Sequence, residues 1–220
     1  MNQKASRRSI CRSVFGMARD WLKTLFRNPL LLPAARYFKL CYTTSKTIST
    51  KERTTMNMPF GQLYLSQLDS EAEATRKCLE RITDEVLEYK PMEKSMPMKS
   101  LAITVSEIPK WIASIITEGD IDFATYPRFK MNSAADLPKH FDECMALARK
   151  SLEAVTDEEL MKDFSLKMKG EILSTDTKKN SVDSTIRHLV HHRGQLTVYM
   201  RLNNIPIPKI YGPSGDDQSW

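Results

Sequence analysis

The run Ile186–Arg201, IRHLVHHRGQLTVYMR, constrains this chain more than any other stretch. Three of the four histidines fall inside it: His188, His191 and His192. His188 and His192 are four residues apart, which on a helix places them on one face, one turn from each other. Gln195 and Tyr199 continue the same stripe. Spacing alone leaves two readings open. One is a polar pocket in which two imidazoles and an amide converge, most simply on a metal ion. The other is a histidine-rich solvated face, because two histidines at this spacing also arise by chance.

The segments before this run carry helical periodicity. Leu65, Leu68, Ala72, Thr75, Leu79 and Ile82 mark one face of a first helix over 62–83. Leu101, Val105, Ile108, Trp111, Ile112 and Ile115 mark a second over 100–117, with Pro109 inside it expected to kink or locally unwind it. A third helix, 136–155, opens on Asp136 as N-cap and buries Phe141, Cys144, Met145, Ala148 and Leu152. The fourth, 181–203, has Ser181 as N-cap and ends at Asn203-Asn204. Between the third and fourth helices, Thr156–Leu160 reads as a capped turn. Phe164–Leu173 alternates around Gly170, as a hairpin does. Residues 119–136 read as a long loop. The expected core includes Leu68, Leu79, Val105, Trp111, Phe141, Leu152, Leu189 and Leu196. Arg193 and Arg201 read as structural ion-pair or capping residues rather than substrate clamps, and Gly194 as a point of close helix approach.

The last forty residues, with HHRGQLTVYMR followed by Ile205-Pro-Ile-Pro208 and Tyr211-Gly-Pro-Ser214, resemble the DinB / YfiT-like superfamily of metal-dependent four-helix-bundle proteins. Ser100–Trp111 resembles the second helix of that family. The resemblance implies an all-α, DinB-like four-helix bundle with a small β-hairpin before the last helix. It also implies a divalent metal, zinc or nickel, held by His188, His192 and a third histidine on the second helix. Aligned on Glu107, Pro109 and Trp111, that third position is Thr104, whose neutral hydroxyl is a poor ligand for such an ion. Glu107 is a candidate replacement, with His140 and Cys144 as lesser ones. Gln195 and Tyr199 are candidate pocket-lining residues for a cofactor or substrate. Some members of the superfamily are metal-dependent transferases or isomerases that use a low-molecular-weight thiol. The functional expectation is therefore a site of altered ligand set, serving either such an enzyme or a non-catalytic binding bundle that has lost the chemistry. A homodimer and a cytoplasmic location complete the expectation.

The net charge of +6 belongs to one segment. Residues 1–55 hold twelve Lys/Arg against Asp20 and Glu52, which leaves residues 56–220 mildly acidic. That balance argues against specific nucleic-acid binding by the domain, although "damage-inducible" stands behind the family name. The basic extension, disordered or partly helical, has four readings: a start upstream of the true one, a targeting segment, a membrane-surface helix, or a nucleic-acid tail. Cys11, Cys41, Cys78 and Cys144 form no regular framework, which fits a reducing compartment. No apolar run approaches the roughly 20 residues of a transmembrane helix.

Overall fold

The structure, a computed structural model, describes residues 58–219, within a compact unit spanning Asn57–Trp220. The readings of residues 1–55 lie outside the described residues. Four long helices dominate: α1, Phe60–Glu80; α2, Met98–Thr117; α3, Asp136–Ala154; and α5, Lys178–Leu202. A one-turn helix α4, Asp157–Leu160, precedes a hairpin of β2, Asp163–Met168, and β3, Glu171–Thr177. The fold is mostly helical with this small sheet, as the periodicity requires. Among the described residues no helix is long and apolar enough to cross a membrane.

Packing follows the apolar stripes. Helix α2 lies between α3 and α5, and α1 closes the bundle against the same two helices. Leu68, Leu79, Val105, Leu189 and Leu196 are fully buried, and Phe141 and Leu152 nearly so. Trp111 differs from expectation: it is half-buried and packs against the core from its rim. Gly61 on α1 sits where a Cβ would lie 2.5 Å from the Leu152 carbonyl of α3, so only glycine permits that approach. Gly194, by contrast, has nothing within 4 Å of a built Cβ. The close approach expected there is absent, because Gly194 faces outward.

Helix ends refine the sequence reading. Helix α5 begins at Lys178 rather than Ser181, because Thr177 at the end of β3 accepts the Asn180 N–H on its hydroxyl at 3.2 Å. Ala135 rather than Asp136 takes the N-cap position of α3, and the Asp136 carboxylate instead accepts the Asn132 and Ser133 N–H groups of the preceding turn at 2.9 and 3.2 Å. Asp157 accepts the first N–H of α1, that of Phe60, at 2.9 Å. Helix α2 runs unbroken through the buried Pro109 instead of unwinding there.

The region read as a loop contains a third strand, β1, Asp120–Asp122, which pairs in parallel with β2. β2 and β3 pair antiparallel, giving the order β1-β2-β3. Lys169 and Gly170 both adopt positive φ, 54° and 85°, as a two-residue hairpin turn demands. The Asp122 carboxylate accepts the N–H groups of both, tying β1 to the hairpin tip.

Candidate functional site

His188 and His192 project from the middle of α5, with their Nε2 atoms 2.6 Å apart and ring centroids 4.4 Å apart. His192 Nδ1 lies 2.7 Å from Gln195 Oε1. An amide oxygen only accepts, so His192 carries its proton on Nδ1 and presents a lone pair at Nε2. The His188 ring rests on Trp111 of α2, centroid to centroid 5.6 Å, and keeps an edge open to solvent. Desolvation against that wall pushes the His188 pKa below the ordinary histidine value, and His192 and His191 push it the same way. The ring is therefore neutral at neutral pH; its Nε2–H donates to the His192 Nε2 lone pair, and an ion taken up between the two would require that hydrogen to move to Nδ1. His191 points outward, 5.2 Å from the His192 ring.

Helices α2 and α5 run antiparallel. Tyr199 donates its hydroxyl hydrogen to the Met96 carbonyl at 3.1 Å, just before α2, while Trp111 meets His188 toward the far end of α2. That register brings Thr104 level with the turn His192–Gln195. Thr104 is half-buried, and its hydroxyl donates to Ser100 O at 2.9 Å. Glu107 is turned toward α3: its buried carboxylate accepts the Phe129 N–H at 2.6 Å and lies 4.0 Å from His140 Nε2. His140 stacks on Phe129 at 3.7 Å and meets Cys144 Sγ at 3.5 Å. Glu107, His140 and Cys144 are thus gathered with one another, away from the α5 histidines. Among the described residues no three His, Cys, Asp or Glu side chains converge as a metal cage. Burial pushes the Cys144 thiol up to about 12 and the Cys78 thiol up to about 11, so both stay protonated and neither is a nucleophile at neutral pH.

Of the pocket-lining candidates, Gln195 is exposed and engages His192, whereas Tyr199 is buried and braces the Met96 loop, edge-on to Tyr89. Arg193 is buried beneath this face. Its guanidinium pairs with Glu71 Oε2 at 2.6 Å and donates to Thr75 and to Tyr211, so it is structural, as its residue type suggested. Arg201 likewise pairs with Asp216 at 2.7 Å and holds the tail.

Beyond His188 the three-stranded sheet and the end of the α2–α5 seam form a half-open pocket of about 350 Å³. Sequence reasoning did not find this space. Trp111 read as core, and a three-residue strand paired to a segment some forty positions later gives no periodic signal.

The DinB family model matches residues 53–218. The chain belongs to the DinB family. Two solved structures share its fold. A DinB-like protein of Bacillus subtilis, YjoA, aligns at 22% identity and a TM-score of 0.55, over 71% of this chain and 99% of its own. A DinB-like protein of Bacillus cereus ATCC 10987 aligns at 23% and 0.54, over 68% of this chain and 97% of its own. Among curated proteins no significant match is found. Within this DinB-family bundle the donor chemistry fits a divalent ion held by two imidazoles. A tetrahedral ion with metal–nitrogen bonds near 2.1 Å keeps two such nitrogens ~3.4 Å apart, so the rings need to open by less than ~1 Å.

Proposed function

We propose that this DinB-family bundle uses His188 and His192 as a two-imidazole site for zinc or nickel, and that the site serves a transferase-type reaction of a low-molecular-weight thiol. The observation that supports the reading is the convergence of two imidazole Nε2 atoms, one of them oriented by Gln195. A divalent ion bound there would supply a lowered thiol pKa, making thiolate available near neutral pH. The protein's own part is to hold and orient. His188 and His192 contribute the two lone pairs. Gln195 keeps the His192 proton on Nδ1, as partners behind metal ligands commonly do. Trp111 desolvates His188 and so keeps it unprotonated.

A second reading, a non-catalytic binding bundle, draws on Thr104. It stands at the position where the resemblance calls for a third imidazole, and its hydroxyl is spent on Ser100 O. The two readings separate on titration of untagged, chelator-treated full-length protein with Zn²⁺ and Ni²⁺ by calorimetry. The metal reading expects one ion per chain, lost in His188→Ala and in His192→Ala and weakened ~10–100-fold in Gln195→Leu. A wild type that takes up no more ion than His192→Ala would leave the non-catalytic bundle.

A further inference from the structure

The cavity beside His188 has a composition that selects its occupant. Three aromatic side chains, Trp111 and Phe123 edge to face at 6.4 Å and the buried Phe164 of β2, join Ile115, Ile121 and Leu166 in its apolar wall. Aromatic walls favour a flat ring, stacked or edge-on. A volume of about 350 Å³ lies at the small end of ligand pockets, which run from roughly 300 to 1,000 Å³. The remaining wall is polar, with Ser184 of α5 and Asp176 of β3 at one side and the His188 ring at its edge.

Charge then narrows the class. No Lys or Arg lines the cavity, and Asp176 is its one carboxylate. The N-terminus of α5 ordinarily attracts anions, but here it is already served. Asp176 Oδ1 accepts the Thr177 N–H at 2.7 Å, Thr177 Oγ1 accepts the Asn180 N–H at 3.2 Å, and the Lys178 N–H goes to Lys162 O at 2.8 Å. An anion entering this space would meet a carboxylate and aromatic faces with no cation to receive it. A cation would meet favourable groups on both counts.

We infer that this cavity is a binding site for a small amphipathic molecule with one aromatic ring and a neutral or cationic polar end, and that it discriminates against carboxylates. Its assignment as the pocket for the thiol's co-substrate rests on the reading of His188 and His192 as the reaction centre; the binding itself does not.

The test uses full-length protein, chelator-treated, with isoleucine methyl groups ¹³C-labelled, and three probes of matched size: phenethylamine, 2-phenylethanol and phenylacetate. Ile115 and Ile121 line the cavity and report on it. Phenethylamine and 2-phenylethanol should shift both methyls saturably, with phenylacetate at least ~5-fold weaker than phenethylamine, the scale set by one exposed carboxylate plus a ring face. Asp176→Asn should bring the amine down to the alcohol's affinity and leave the alcohol unchanged. Ser184→Phe, at an exposed helix position, should fill the cavity and abolish binding of all three while the remaining methyl spectrum stays native. His192→Ala separates the two proposals: lost metal uptake with retained probe binding leaves the cavity assignment standing on its own. Phenylacetate binding as tightly as phenethylamine would overturn the inference. So would the absence of any saturable shift at Ile115 and Ile121.

Discussion

Arg193 is 1% exposed, and its guanidinium meets Glu71, Thr75 and Tyr211. The Tyr211 hydroxyl in turn reaches the Glu71 carboxylate at 3.0 Å, so the tail closes a network begun on α1. Removing the cation strands a buried carboxylate. Arg193→Met should therefore cost about 3–5 kcal/mol in urea unfolding, and Glu71→Gln combined with it should recover part of that loss. Additive single-variant losses would show that the pair is not coupled. A structural role for Arg193 could be read from its residue type, but its partners could not: Glu71 and Tyr211 are more than a hundred residues apart in sequence. His140 is a second case. Burial depresses its pKa below the ordinary histidine value of 6.5, against the opposing pull of Glu107 and Glu143, with Lys110 acting alongside burial. Between that depressed folded value and 6.5 the unfolded chain binds more protons. Stability should therefore be full above 6.5 and fall as pH drops through the window. His140→Phe should lose less stability than wild type between pH 7.5 and pH 5; an equal loss would place the pH dependence elsewhere.

At the scale of elements, the four helices were legible because each repeats its apolar stripe over about twenty residues, long enough for period 3.6 to stand out. The hairpin was legible from its alternation and Gly170. Strand β1 was not, since Asp120–Asp122 offers one buried side chain, Ile121, and its partner strand comes later in the chain. Glycine roles were half legible. Residue type marks a place of freedom or closeness, and only the packed helices show which. Two substitutions test the distinction. Gly61→Ala places a methyl group against the Leu152 carbonyl of α3 and should destabilise by roughly 1–3 kcal/mol. Gly194→Ala meets open space in the middle of α5 and should stabilise by about 0.5–1 kcal/mol. Thermal unfolding of the two variants should move in opposite directions, and a shared sign would contradict the helix packing described above.

Over the whole molecule, the site is a seam between two antiparallel helices with a sheet laid over one end. The histidine pair was legible from its four-residue spacing, and its orienting amide from the next turn. The pair does not point into the bundle interior: His188 lies at the rim, against Trp111, with solvent on one edge. The fate of Glu107 was also hidden: three positions from Thr104 sets it only ~60° around α2, and the loop at Phe129 draws its carboxylate toward α3. On the metal reading, Thr104, level with His192, stands where the resemblance calls for a third imidazole. The most direct measurement is Zn²⁺ affinity by chelator competition, comparing wild type with Thr104→His. A third imidazole facing the pair should tighten binding by at least ~10–100-fold. Equal affinities would mean that Thr104 does not face the histidines or that the missing ligand is already supplied.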